Sequence, residues 1–244
     1  MKDWYKEQYS NTNELMNLNP EVVNNFDRWI KLMTENGNEI KYNDLGGWGW
    51  NTVRLWMHYK GVYCLPTKEL IDWMLDEFFP EDEWSDEDID NKVLEVCCGK
   101  GMLGRSLGIK ITDNRSQENN PEIMAYANMM GQPLIKYPKD VIRMDANKAA
   151  KYYKPHTIIA SYLTFGSKLK SVCEESGANY WGPDVYSLRS DCKRLIIIGN
   201  LNVQAHRCLP ILEYDHKEYT PDKMEGLVTR SDPSMNRIWV WENQ

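Results

Sequence analysis

Short apolar runs alternate with helical or loop-like segments along the chain after residue 90. Six of these runs predict strands, namely Lys92–Cys98, Ile109–Thr112, Val141–Met144, Thr157–Ser161, Leu195–Gly199 and Arg237–Trp241. The letters LIIIG in the fifth run are apolar throughout, which is typical of a parallel strand covered on both faces. The alternation predicts an α/β fold: a Rossmann-like, mostly parallel sheet with helices on both faces. The last run is predicted to form a late strand near the sheet edge.

The first part of the chain has a different pattern, which predicts an N-terminal helical cap (residues 1–60) before a second domain (residues 61–244). Asn19–Gly37 repeats apolar side chains at three- and four-residue spacing, as an amphipathic helix does, and Gly37 ends it. A glycine-tryptophan turn then leads into a second helix within Gly46–Gly61. Its dense tryptophans fit two roles, stacking on a nucleobase or anchoring the cap to the larger domain. The anchoring role is favoured.

The helical pattern is clearest at Leu65–Phe79, where Pro66 or Thr67 begins a helix and apolar residues line one face. An acidic connector follows at Pro80–Asn91. A further helix is predicted among the strands, at Pro121–Gly131.

The composition is typical of a soluble globular protein, with 42% hydrophobic and 27% charged residues among 244. No apolar run approaches the roughly 18 residues that span a bilayer, and the N-terminus lacks the apolar segment of a secretory signal. These features predict a cytoplasmic protein with no membrane partner. The net charge of −7 argues against a generic nucleic-acid surface. Two basic segments, Asn147–His156 and Ser167–Lys170, are interpreted as solvated helix faces.

The six cysteines show neither Cys-x-x-Cys spacing nor a histidine pair at zinc spacing. They are therefore predicted to be buried, reduced thiols, and no metal site is expected.

The stretch VLEVCCGKGMLGRSLG carries the clearest candidate chemistry. Glycine at Gly99 and Gly101 allows the backbone to approach a ligand closely, and the helix that follows presents free N–H groups. The letters Gly-x-Gly-x-x-Gly, ending at Gly104, leave a nicotinamide-dependent oxidoreductase as one alternative, whereas a P-loop is absent. A carboxylate within an apolar strand, Glu95, calls for a cation or donors, and it would repel a pyrophosphate. The charge favours a cationic nucleoside cofactor.

The letters E-V-C-C-G-K-G resemble the first motif of class I S-adenosylmethionine-dependent methyltransferases, acidic-x-Gly-x-Gly-x-Gly, with Cys97 in place of the first glycine. The resemblance extends from Gly61 to the C-terminus. It implies that S-adenosyl-L-methionine is the cofactor and that its binding loop consists of Glu95, Cys97, Gly99, Lys100 and Gly101.

Later motifs follow in the order the resemblance implies. Asp113 ends GIKITD, 18 residues after Glu95, and would bind the ribose hydroxyls. RMDA would place Asp145 on the adenine amino group and Ala146 beside the ring, and TIIASYLTFG would place Ser161 and Tyr162 near the methyl donor. Two simpler interpretations stay open: Asp113 as a turn residue and Asp145 as a helix N-cap.

The acceptor is less defined. The segment Tyr63–Thr67 partly resembles the one before the first motif in nucleic-acid amino-methyltransferases, so nucleic acid is the first expectation. That subgroup has Asn/Asp-Pro-Pro-aromatic after the fourth strand, whereas this chain has Ala-Ser-Tyr-Leu at 160–163, and the Pro-Cys of cytosine-C5 enzymes is missing. A cofactor-fold binding or regulatory protein without transfer activity is therefore the alternative. The long loop Cys173–Asp191 is expected to shape the acceptor pocket. His206 follows the fifth strand, but no catalytic base is assigned.

Overall fold

The computed structural model of the protein describes residues 20–129, 134–163, 182–204 and 210–243, and a seven-stranded sheet is its main feature. The strands of the described residues are β1 (Cys64–Leu65), β2 (Val93–Glu95), β3 (Lys110–Asp113), β4 (Ile142–Arg143), β5 (Thr157–Ser161), β6 (Arg194–Asn200), β7 (Lys217–Tyr219), β8 (Val228–Thr229) and β9 (Asn236–Glu242). The order in the large sheet is β4-β3-β2-β5-β6-β9-β7, and β1 and β8 form a separate antiparallel pair.

Most of the large sheet is parallel. Strands β4, β3, β2, β5 and β6 all run in one direction, and β9 is antiparallel to both of its neighbours, β6 and β7. The predicted α/β class with a mostly parallel sheet is therefore confirmed, and each of the six predicted strands overlaps an observed one. The final strand lies one position from the edge, as predicted, because β7 covers it. β2 is shorter than predicted, since the chain turns at Cys97 with φ +52°.

Helices cover both faces of the sheet. They are α1 (Pro20–Glu35), α2 (Tyr42–Gly46), α3 (Trp50–Lys60), α4 (Lys68–Phe78), α5 (Asp86–Lys92), α6 (Met102–Ser106), α7 (Ser116–Asn119), α8 (Pro121–Met129), α9 (Ala146–Tyr153), α10 (Val185–Ser190) and α11 (Leu201–Gln204). Along β6, Leu195 and Ile197 pack with α9 and α10, whereas Ile196 and Ile198 pack with α4, α5 and α6. This alternation is the period of two of a strand buried on both faces.

Helix α4 begins where the sequence predicts. The Thr67 hydroxyl oxygen accepts a hydrogen bond from the Leu70 N–H at 3.2 Å, so Thr67 is the N-cap. The same hydroxyl donates to the Gly226 carbonyl oxygen at 2.7 Å. The cap therefore also ties α4 to the chain just before β8.

The N-terminal helices α1, α2 and α3 form a third apolar cluster. The rings of Trp29, Trp48 and Trp56 lie 5.7, 5.4 and 5.4 Å from the Phe26 ring. Leu65 of β1 and Val228 of β8 join this cluster and connect it to the two-stranded sheet. These tryptophans thus take the anchoring role. No helix in the described parts of the chain is long and apolar enough to cross a membrane.

Candidate functional site

The glycine loop follows β2 at the carboxyl edge of the parallel strands. The chain proceeds from β2 to its neighbour β3 on one side, and later to β5 on the other side of β2. The strand order therefore reverses between β2 and β5, and in open α/β sheets such a reversal marks the crevice where ligands bind. The predicted glycine loop, after β2, lies at this point of the sheet.

Three residues of the loop have left-handed backbone conformations. The φ angles are +52° at Cys97, +55° at Gly99 and +64° at Gly101. Such values favour glycine and are uncommon for other residues. Cys97 thus occupies a glycine-like position, as expected if it replaces the first glycine of the motif. Gly101 is the N-cap residue of α6, and its N–H donates to the Cys98 carbonyl oxygen at 2.8 Å.

The Glu95 carboxylate is bound to the start of α6. Glu95 is 1% exposed, and its Oε2 accepts a hydrogen bond from the Gly104 N–H at 2.9 Å. A Cβ atom at Gly104 would lie 2.3 Å from Ile111 Cγ2 and 2.6 Å from Glu95 Oε2, so only glycine lets α6 approach β3 this closely. Burial raises the pKa of Glu95 to about 8. Sequence reasoning anticipated a donor or cation for this carboxylate, and a backbone donor is present.

The raised pKa of Glu95 makes stability depend on pH. The folded protein keeps the Glu95 proton up to about pH 8, whereas an unfolded chain loses it near the ordinary value of 4.5. The unfolding free energy should therefore fall between these values, with a limiting slope of about 1.4 kcal/mol per pH unit from this group. Glu95→Gln keeps an acceptor for Gly104 but does not ionise. We expect its stability gain over the native protein to grow as pH rises, measured by urea unfolding at pH 5, 6, 7 and 8. Parallel pH curves for the two proteins would contradict this prediction.

Asp113 ends β3 and contacts the glycine loop directly. It is 8% exposed, its Oδ2 accepts from the Gly99 N–H at 2.9 Å, and its Oδ1 accepts from the Arg115 N–H at 2.8 Å. Burial raises its pKa, while these two hydrogen bonds and one from the Tyr137 hydroxyl oppose the rise. Asp113 is thus a turn residue that also lies at the predicted site. A carboxylate has about four lone-pair positions, so it retains capacity for further donors.

The other predicted residues lie at neighbouring strand ends. Asp145 follows β4 and accepts from the Lys148 N–H at 3.2 Å, so it is the N-cap of α9. Ala146 is 4% exposed and packs in the core. Ser161 ends β5 and is partly buried. Tyr162 has φ +53°, and its N–H donates to the Ile198 carbonyl oxygen at 2.7 Å.

Three of the predicted carboxylates converge on Cys97. Burial raises the pKa of the Cys97 thiol well above its ordinary value, and the charges of Asp113, Asp145 and Glu95 raise it further. Lys100, beside them in the loop, is partly buried, and burial together with Lys60 lowers its pKa. Because Glu95 stays protonated up to about pH 8, the negative charge near the centre of the loop comes from Asp113 and Asp145, and it disfavours an anionic ligand there.

Several residues at the carboxyl edge of the sheet could not be identified as site residues from the sequence. Ile135 lies over the loop: a Cβ atom at Gly61 would be 3.1 Å from Ile135 Cγ1, and one at Gly99 would be 3.4 Å from Ile135 Cδ1. The Arg230 guanidinium lies 3.8 Å from the centre of the Tyr63 ring, which in turn lies 5.5 Å from the Tyr162 ring. The sequence indicated Tyr63 and Tyr162 of this stack but not Arg230.

Two of the described histidines, His156 and His216, lie away from the glycine loop. His156 precedes β5 and His216 precedes β7, so both lie at the amino edge of the parallel strands, opposite the glycine loop. His206, the basic segment 167–170 and residues 173–181 of the long loop lie outside the described residues. The other basic segment forms α9, with Lys148 and Lys151 exposed, as a solvated helix face predicts.

The described cysteines are free thiols. Cys64 and Cys192 are buried, whereas Cys97 and Cys98 are only partly buried. In the parts of the chain that the structure describes, no group of three or more His, Cys, Asp or Glu side chains is arranged to hold a metal ion.

A scan against protein-family models and a search of curated proteins find no match to the chain. Among solved structures, it is similar to protein 1320 of Thermoplasma acidophilum, with 14% sequence identity and a TM-score of 0.33. That alignment covers 71% of this chain and 88% of the other. At this similarity, function has to be inferred from the site itself.

Proposed function

We propose that the protein is an S-adenosylmethionine-dependent methyltransferase with a Rossmann-like domain. The observation that carries this proposal is the position of the glycine loop at the strand-order reversal, where Asp113 accepts the Gly99 N–H at 2.9 Å and Asp145 follows the neighbouring strand β4. The cofactor bears a sulfonium and an ammonium group, so an acidic loop suits its charge. The chain's resemblance to the first methyltransferase motif supports the same conclusion.

The residues at the loop fit this cofactor. The left-handed backbone at Cys97, Gly99 and Gly101 keeps the loop compact and lets a ligand approach the main chain. The remaining lone pairs of Asp113 suit the ribose hydroxyls, and Asp145 and Ala146 are in the order that adenine recognition requires in the family. The cofactor would supply an electrophilic methyl group. The chain's own contribution is then to hold donor and acceptor in line, which alone accelerates transfer.

The competing nicotinamide-dependent function is less well supported. A dinucleotide pyrophosphate binds the free N–H groups at a helix N-terminus, but in this protein Glu95 already accepts the Gly104 N–H. The sheet also differs from the usual dinucleotide-binding order, because the antiparallel β9 lies between β6 and β7. Both observations weigh against an oxidoreductase.

Nucleic acid is the acceptor that we propose. The partly exposed Tyr63 ring lies near the end of β5, in contact with the partly exposed Arg230 guanidinium and with the Tyr162 ring, which is only 7% exposed. Aromatic side chains stack on unpaired bases, and arginine adds cation–π and phosphate contacts. This group of side chains therefore suits a base that is presented to the methyl donor.

The test is a screen with radiolabelled methyl cofactor against RNA, DNA, protein and small-molecule extracts. We expect labelled product in a nucleic-acid fraction. Asp113→Asn should raise the KM for the cofactor at least about tenfold, since hydrogen bonds to a charged group contribute about 1.5–3 kcal/mol. Asp82→Ala, at an exposed position, is the matched control and should leave the KM unchanged. Thermal unfolding of each variant separates loss of binding from loss of fold.

The outcomes of the screen distinguish between acceptor classes and between a methyltransferase and a binding protein. Label found only in protein or small molecules would overturn the proposal of a nucleic-acid acceptor but would support the methyltransferase proposal. No labelled product in any fraction would overturn the methyltransferase proposal and favour a binding or regulatory protein of the same fold.

A further inference from the structure

A second cleft lies at the opposite edge of the sheet from the glycine loop. It has a volume of about 690 Å³ and is lined by residues that precede β2, β5 and β6 or follow α9, α10 and β9. The side chains that matter for its chemistry are Lys92, Lys154, His156, Arg189, Asp191 and Lys193.

The cleft is basic although the protein is acidic. It contains four lysine or arginine side chains and one carboxylate, Asp191, whereas the whole chain has a net charge of −7. Lys92 forms an ion pair with Asp88. Lys154 and Lys193 have no ion-pair partner within the described ranges of the chain. Two of the four positive charges, those of Lys154 and Lys193, are therefore uncompensated there, and a local positive potential attracts anions.

Hydrogen bonds connect the backbone segments that carry the lysine and arginine side chains of the cleft. Asn243 Nδ2 donates to the Cys192 carbonyl oxygen at 2.7 Å and also to the Arg189 carbonyl oxygen, and the Asn243 N–H donates to the Lys193 carbonyl oxygen at 2.7 Å. The Lys193 N–H donates to the His156 carbonyl oxygen at 2.9 Å. These bonds fix the backbone positions from which the cationic side chains extend.

Two buried polar atoms lining the cleft are unsatisfied. Arg189 Nε and Asp191 Oδ2 are buried and have no hydrogen-bond partner among the described residues. The Arg189 guanidinium is held against the Tyr214 ring, 4.4 Å from its centre. Leaving a buried donor or acceptor unpaired costs about 1–3 kcal/mol. Because both atoms are closed off from solvent, the exposed side chains of Lys154 and Lys193 are the cationic groups that a ligand in the cleft can reach.

We propose that this cleft binds phosphate groups. Lysine and arginine side chains recognise phosphate through charge-assisted hydrogen bonds, and arginine contributes a rigid fork of donors. The phosphates belong either to a small phosphate ester or to a nucleic-acid backbone, and the chemistry at Lys154, Arg189 and Lys193 is the same for both.

The test measures binding to the full chain without any methyl cofactor, so its failure is independent of the methyltransferase proposal. Inorganic pyrophosphate is titrated by calorimetry, and a single-stranded RNA 12-mer is titrated by fluorescence anisotropy. The variant combines Lys154→Gln and Lys193→Gln, which remove charge at two exposed positions and keep a polar side chain. The control is Lys223→Gln, at an exposed position outside the cleft.

We expect the native protein and the control to bind at least one probe and the double variant to bind it at least tenfold more weakly. Pyrophosphate binding lost in the variant identifies a small phosphate ester, and loss confined to the RNA identifies the nucleic-acid backbone. The proposal is overturned if neither probe binds, or if the double variant binds both as tightly as the control.

Discussion

Replacing Trp241 by alanine is expected to lower the free energy of unfolding by about 3–5 kcal/mol. Trp241 lies on β9, is 0% exposed, and packs with Trp239 in the core on one face of the sheet. Its indole N–H donates to the Ile211 carbonyl oxygen at 2.9 Å. The substitution removes a large buried ring and one of the two donors to that carbonyl, the other being the Tyr214 N–H at 3.1 Å. Urea unfolding followed by circular dichroism measures the change.

The matched control is Trp50→Ala. Trp50 begins α3, is 38% exposed and contacts only one other ring, that of Tyr42, among the described residues. Its replacement should cost less than about 1 kcal/mol, since exposed positions tolerate substitution. Equal losses in the two variants would contradict the position of β9 between β6 and β7.

Gly104→Ala is expected to lower the unfolding free energy by about 3 kcal/mol, at the upper end of the cost of overpacking. The added methyl group would meet Ile111 Cγ2 at 2.3 Å and Glu95 Oε2 at 2.6 Å, so α6 must move away from β3. That movement also weakens the hydrogen bond from Gly104 to Glu95 and displaces the glycine loop. The variant should therefore lose cofactor affinity together with stability, measured by urea unfolding and by calorimetry.

Gly46→Ala provides the comparison for this prediction. A Cβ atom at Gly46 meets nothing within 4 Å, and the residue ends α2 without a left-handed conformation. Its replacement should be neutral or stabilising by about 0.4–1 kcal/mol. If Gly104→Ala behaves like Gly46→Ala, then α6 does not pack on β3 as described.

The strands that carry the sheet were predictable because they are apolar throughout or alternate regularly. Strands β1, β7 and β8 were not predicted, because β7 consists of the mostly polar letters KEY, and β1 and β8 pair only with each other in a sheet that no local pattern indicates. The place of β9 in the sheet depends on pairing with β6, from Arg194 with Glu242 to Asn200 with Asn236, between segments far apart in sequence. Such nonlocal pairing leaves no mark on a local hydrophobic pattern.

The glycine loop was predictable from its letters, but the partners of its carboxylates were not. A carboxylate in an apolar strand shows that Glu95 needs a donor or a cation, and the sequence cannot tell a backbone N–H from a ligand. Asp145 is the N-cap of α9, and because it follows β4 at the carboxyl edge of the sheet, the predicted adenine contact is compatible with that role and stays a prediction. Ile135 and Tyr137 reach the loop from a segment without periodicity, so only the fold brings them there.

The central claim is that the glycine loop binds a cationic nucleoside cofactor, and a calorimetric titration tests it most directly. The native protein is titrated with S-adenosylmethionine and, separately, with NADH, and Asp113→Asn and Asp82→Ala are titrated in parallel. We predict one-to-one binding of S-adenosylmethionine in the micromolar range, at least tenfold weakened by Asp113→Asn, unchanged by Asp82→Ala, and no binding of NADH. Absence of binding at millimolar S-adenosylmethionine by the folded protein, or binding of NADH in its place, would contradict the claim.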